Sequence, residues 1–136
     1  MSARPELESL LKQMPFSVAC GIELTSASAT EVTGVLAWTP QRCTSGGLLH
    51  GGALMVLADS LGGICAFLNL PEGSGTATIE SKTNFFRGVR QGTAHATTHP
   101  LHVGRTTIVV QTDIADDSNR RVAQVTQTQA IVPASG

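Results

Sequence analysis

The sequence predicts an α+β domain: one long helix wrapped by a curved antiparallel β-sheet of five to six strands. Three observations predict it. Residues 51–70 are apolar on every side and carry one charge, Asp59. After them, apolar and polar residues alternate with period two in four successive segments. Two shorter alternating segments come before them. A helix apolar all round has to be covered all round. Alternating strands joined by short turns pair antiparallel, and the two kinds of element bury their apolar faces as layers. At 136 residues the chain has room for a single domain, 1–136.

The elements follow in order. Residues 6–13 place Leu7, Leu10 and Leu11 on one helical stripe, and Pro15 ends that helix, so 1–15 is a helical extension. Ile22 and Leu24 alternate in a first strand. Val32, Gly34, Leu36 and Trp38 share a face of the second. Residues 39–49 form a loop rich in Thr, Ser and Gly. The run 51–70 has the length of a membrane span, about 20 residues. It lacks flanking Lys or Arg, though, and holds a carboxylate near its middle and four glycines, so it reads as a buried helix stopped by Pro71 and Gly73. Ala77, Ile79, Ser81, Thr83 and Phe85 share one strand face. Ala94, Ala96 and Thr98 share the next, and Thr106, Ile108, Val110, Thr112 and Ile114 a third. A last strand runs from about Val122 to Val132. With turns at 87–92, 103–104 and 116–119, these four strands read as a meander.

Composition excludes several functions. A net charge of -1 gives no basic face for nucleic acid, and 41% hydrophobic residues exclude a disordered chain. Charged residues make up only 14%, against about 25% in a typical domain. The surface is therefore rich in neutral Thr and Ser, or part of it is covered by another chain. Cys20, Cys43 and Cys65 form no complete disulfide set and no zinc spacing. Free thiols predict a cytoplasmic, reducing setting, and the charged N-terminus lacks a signal-peptide core.

Two features carry chemistry. The first is Gly46-Gly47-Leu48-Leu49-His50-Gly51-Gly52, directly before the apolar helix. Glycines allow close backbone approach, and a helix N-terminus offers unpaired N–H groups and partial positive charge. Together they make a candidate oxyanion site, set against the alternative of a tight turn that only satisfies backbone geometry. The second is Asp59, a carboxylate whose desolvation would raise its pKa toward that of a base, set against a structural hydrogen bond. Gly51 and Asp59 lie eight residues apart, about 12 Å along a helix, while reacting groups must meet within about 3–3.5 Å. If both serve one reaction they come from different subunits. Two antiparallel helices side by side would form a two-fold dimer with two shared sites.

The stretch from Gly47 through His50, Gly51 and Gly52 to Asp59 and Ser60 resembles the signature of hotdog-fold acyl-CoA thioesterases. More narrowly, it is similar to the phenylacetate-pathway and 4-hydroxybenzoyl-CoA thioesterase branch, whose carboxylate sits on the central helix. The resemblance continues through Thr83 to Gly92 and through His102 to Thr107, and covers roughly residues 20–132. It implies a hotdog fold and hydrolysis of an acyl- or aryl-CoA thioester without metal or cofactor, with aryl groups preferred. By it, the Gly51 N–H polarises the thioester carbonyl, His50 orients that region, Asp59 is nucleophile or general base, and Thr78 holds the water. The family's other hydroxyl position is Gly63 here, and Thr44 stands where many relatives have Gln or Asn against the thioester. Arg87, Arg90, Arg105 and Thr106 match or neighbour positions that bind CoA phosphates, a role suited to arginine's planar fork, set against the alternative of ordinary solvated turn arginines. Relatives of this branch are dimers of dimers. The alternative on the same scaffold is a non-catalytic acyl-CoA binding or sensing protein, which has no need of Asp59; a hotdog dehydratase lacks its His and Asp pairing.

Other constellations fall away. A lipase-like hydrolase needs a Gly-x-Ser-x-Gly absent here. Of His95, His99 and His102, the last points away from a shared face if the strand is regular, which argues against a metal. Ser60 faces about 100° from Asp59 on a helix.

Overall fold

The computed structural model describes residues 4–133. Helices α1 (Arg4–Lys12) and α2 (Pro15–Ala19) lead into strands β1 (Glu23–Ala27) and β2 (Val32–Ala37). A single 3-10 turn, Pro40–Arg42, precedes the long helix α3 (Gly51–Phe67). Strands β3 (Ser74–Phe85), β4 (Thr93–Val103), β5 (Thr107–Ala115) and β6 (Arg121–Pro133) complete one six-stranded antiparallel sheet. The sheet curves around α3, as the α+β reading expects.

The core is the α3–sheet interface. Inward residues Val32, Leu36, Ile108, Val110, Ile114 and Val125 are buried against Leu54, Leu57, Leu61 and Ile64. A Cβ on Gly34 would lie 3.0 Å from Leu61, so β2 passes α3 at a distance only glycine allows. Leu57 is fully enclosed. Leu57→Ala should cost about 2–5 kcal/mol in a denaturant titration, through lost transfer energy and a residual cavity.

Four expectations are corrected. Pro15 does not merely end the first helix: it occupies the first turn of α2, where its missing N–H is no loss. Helix α3 stops at Phe67, three residues before Leu70, because the Asn69 amide donates to the Cys65 carbonyl at 2.9 Å and closes the last turn. The strand order is β1-β2-β4-β5-β6-β3, so only β4, β5 and β6 form a meander. Residues 86–92 are a crossover rather than a hairpin. They run beneath the start of α3, where buried Val89 accepts from the Leu49 N–H at 2.9 Å, which puts β3 on the far edge beside β6. Finally, a bulge at Ile79 shifts the β3 register between Thr78 and Glu80. The residues opposite inward-facing Gln129, Gln127, Val125 and Ala123 are therefore Thr78, Ser81, Thr83 and Phe85, while Ala77 and Ile79 leave that face.

α3 is also not covered on every side within one chain. Met55, Asp59 and Phe67, spaced four and eight residues apart, form one exposed stripe. Edge strand β3 is exposed along most of its length, with Ile79 62% exposed. Among the described residues no helix is long and apolar enough to cross a membrane.

Candidate active site

The start of α3 is assembled by backbone accounting. The Trp38 indole donates to the Gly47 carbonyl at 2.9 Å and fixes the glycine loop, and Gly47 adopts positive φ. Leu49 donates to Val89 and His50 to the Arg42 carbonyl. His50 is the N-cap, its Nδ1 accepting from the Gly52 N–H at 2.8 Å. That contact defines a ring with the proton on Nε2 when neutral. Ala53 and Leu54 both donate to the His50 carbonyl. Of the N–H groups from 49 to 54, only that of Gly51 has no partner among the described residues. It points from a helix N-terminus, where the dipole favours negative charge, and the Phe85 ring lies beside it, 3.1 Å from where a Gly51 Cβ would stand. His50 thus occupies the neighbouring donor and leaves Gly51's free.

Asp59 sits two turns further along α3. Its Oδ1 accepts from the Gln127 amide at 2.8 Å, and Oδ2 has no partner among the described residues. The carboxylate opens on a cavity of about 460 Å³ shared with Met14, Phe16, Ser17, Met55, Val56, Ser60 and Ser81. Asp59 is exposed by area in the single chain, yet apolar neighbours crowd it enough that desolvation raises its pKa above the usual carboxylate value, with the Gln127 hydrogen bond pulling the other way. A helix covering the exposed stripe would strengthen that desolvation. Gly51 is not among the cavity's lining residues, as expected for two groups about 12 Å apart on one straight helix.

The other predicted residues divide between two ends of the sheet. Thr44, at the glycine loop, accepts from the Gly46 N–H through its own hydroxyl. Arg87 and Arg90 line a polar cavity of about 700 Å³ with Arg120, Asp116 and Asp117; the two aspartates are paired with Arg120 and His95, and neither Arg87 nor Arg90 has a carboxylate partner within salt-bridge distance among the described residues. Arg105 and Thr106 lie in the β4–β5 turn, at the opposite end of the eleven-residue strand β4, so one chain does not unite them with Arg87. The Thr78 hydroxyl donates to Gln129 at 3.1 Å, and Ser81 is the β3 hydroxyl that lines the Asp59 cavity. A bulge between Pro100 and His102 turns His102 onto the same outer face as His95 and His99, contrary to the regular-strand reading. The histidines still form no cluster: His95 pairs with Asp117 and His99 with Glu31, and no metal-binding group is found among the described residues.

Sequence reasoning missed Gln127, Ser81 and the α2 residues beside Asp59. Gln127 left a signal, since period two puts it between Val125 and Gln129 on the inward face of β6. Ser81's place depended on a bulge that no local pattern announces.

Residues 46–123 match the family described as the thioesterase superfamily. The chain belongs to that superfamily. Its fold is similar to thioesterase HI1161 from Haemophilus influenzae, with a TM-score of 0.89, 25% identity and 96% and 92% of the two chains covered. A mutant of thioesterase PA1618 from Pseudomonas aeruginosa gives a TM-score of 0.88 at 29% identity over 93% and 94%. In sequence the chain is 35% identical over 86 residues to 1,4-dihydroxy-2-naphthoyl-CoA hydrolase from Escherichia coli, 63% of each. Sequence matches to an esterase-named relative from Vibrio cholerae and to PA1618 itself are 36% identical each and span 57% and 63% of those proteins' length.

Proposed function

We propose that this protein hydrolyses a CoA thioester to CoA and a free acid, in an active site shared between two chains. The unpaired carboxylate oxygen of Asp59, open to a largely apolar cavity, carries the proposal. The unpaired Gly51 N–H of the partner chain polarises the thioester carbonyl. Asp59 takes a proton from water, whose oxygen attacks the carbonyl carbon, and the tetrahedral oxyanion is held by the N–H and the helix dipole. Collapse breaks the C–S bond, and the CoA thiolate recovers the proton from Asp59. If Asp59 attacks directly, it forms an anhydride that water then hydrolyses. Oxygen from labelled water appearing in Asp59 after a single turnover identifies that second route. Ser81 of the same chain is placed to hold the water, with Thr78 further along the strand.

Two features support the dimer. The stripe Met55, Asp59 and Phe67 and the exposed edge of β3 are the surfaces a second chain would cover. The outer face of the sheet sets neutral Thr97, Gln111, Thr126 and Thr128 beside a few charged groups, Glu80, Lys82 and Asp113, and this mixed polar face suits a second pairing into a dimer of dimers. Light scattering is expected to show a dimer or tetramer; a stable monomer at working concentration would contradict the shared site. Arg87 and Arg90, unpaired among the described residues, are available for the phosphates of CoA. Arg105 and Thr106 can join them only from another chain.

The acyl group is read as aryl. Phe16 is 69% exposed and faces the cavity with Met14 and Met55, giving an aromatic and thioether wall for a flat ring, and the Escherichia coli relative is named for an aryl-CoA. A panel of acyl-CoA thioesters with a thiol-detecting reagent tests the activity; binding of every ester with no thiol release would overturn it. Phe16→Ala should raise KM for an aryl-CoA about 2–10-fold, the value of one aromatic contact, and leave acetyl-CoA unchanged. Equal effects on both would remove Phe16 from the acyl wall.

A further inference from the structure

Gln127 sits on β6 directly opposite Ser81 of β3, on the sheet face turned to α3. It is 1% exposed, the same burial as core Val125. A buried primary amide is normally satisfied at both ends. This one is satisfied at one end only: Nε2 donates to Asp59 Oδ1 at 2.8 Å, while Oε1 is buried with no partner. The opposite orientation would set the amide oxygen against a carboxylate oxygen, so hydrogen-bond chemistry selects the orientation seen.

The room for this amide comes from α3 itself. A Cβ on Gly62 would lie 1.9 Å from Gln127 Oε1 and 2.8 Å from its Cδ. Any side chain at 62 must displace the amide. Gly62 is in mid-helix, where glycine is unfavourable relative to alanine, and it is buried. Two features that each weaken the fold, a mid-helix glycine and an orphaned amide oxygen, therefore coincide at the one side-chain hydrogen bond that Asp59 receives among the described residues.

We infer that Gln127 is a positioning residue for Asp59: with the space left by Gly62, it pins Oδ1 and turns the free Oδ2 into the cavity. This rests on the proposed role of Asp59 and deepens it. An amide N–H also favours the ionised carboxylate, since it cannot accept a proton from the acid form. It therefore opposes the desolvation that raises the Asp59 pKa, and helps keep a base in a partly dry site. The other side chains facing Asp59 do not titrate: Phe16 and Ser17 from α2, Met55 and Ser60 from α3, Ser81 from β3. Glu80 and Lys82, in register with Thr128 and Thr126, point to the opposite face of the sheet.

The test uses the full chain with Gln127→Met, which keeps length and loses the donor, Gln127→Glu, which sets a second carboxylate against the first, and Gly62→Ala, which displaces the amide without touching it. Gln127→Asn serves if Met or Glu does not fold. Two quantities are read: the titration midpoint of the Asp59 side-chain carboxyl by carbon NMR, and the acidic limb of kcat/KM. Both should move to higher pH in Gln127→Met and Gly62→Ala and furthest in Gln127→Glu, with kcat lower by about 10–100-fold, the worth of a hydrogen bond to a charged group, and KM little changed. An unmoved midpoint and limb in folded variants would overturn the inference while leaving the thioesterase reading intact. A midpoint that moves in a protein hydrolysing no thioester would support the inference and overturn that reading.

Discussion

Asp59→Asn should lower kcat by about 10²–10⁴-fold, the range for removing a general base, with KM for the CoA ester changed far less. Asparagine has nearly the same shape, and its side-chain carbonyl can still accept from Gln127, so the geometry around it is kept. Stability should not fall. Because burial raises the folded pKa of Asp59 above its unfolded value, the ionised group weakens the fold at neutral pH. That cost disappears as pH falls through the folded pKa. Removing the charge should hold or raise the melting temperature at pH 7, which would mark a residue kept for activity rather than stability. The acidic limb of kcat/KM in the unaltered protein should lie above the ordinary aspartate value. Full activity in Asp59→Asn would end the catalytic reading.

The second large effect is expected at Gly51. It is the first residue of α3, a position where proline is well tolerated because the N–H makes no helical bond. The preceding His50 already has the extended backbone that a following proline demands, at φ -60 and ψ 133. Gly51→Pro should therefore delete one hydrogen-bond donor from an intact helix and cost about 10²–10³-fold in kcat. Gly51→Ala is the matched control. Both add a Cβ that presses on the Phe85 ring, but alanine keeps the N–H. Equal losses in the two variants would mean that crowding of Phe85, not the donor, is what matters.

The fold was legible where burial writes itself into the chain. Alternation found the inward faces of β2, β4 and β5 correctly, because Val32, Leu36, Ile108 and Ile114 are apolar where the sheet meets α3. It failed on β3, where a single extra residue at Ile79 reverses the faces, and edge strands carry little apolar signal to reveal it. It also failed on strand order. Nothing local tells a hairpin from the crossover at 86–92, which is held by the long-range Leu49–Val89 bond. At the site, Gly51, His50 and Asp59 stood out because each breaks the expected chemistry of its neighbourhood. Gln127 broke it too, as a glutamine on an apolar face, but its meaning needed the helix it faces. The low charged fraction is matched by surfaces with few charges: the α3 stripe, where Asp59 stands between Met55 and Phe67, β3, where Glu80 and Lys82 are the only two, and the half-buried Thr and Gln of the outer face.

The central claim is that Asp59 of one chain works with Gly51 of another. Asp59→Asn and Gly51→Pro chains, each inactive alone, can be unfolded together, refolded as a mixture and assayed for thiol release. In a mixed dimer one site combines both damaged residues and the other combines both intact ones. Random pairing makes half the dimers mixed, so activity should return to about a quarter of the unaltered protein's. No recovery, with mixed dimers shown to be present, would contradict a site shared between chains.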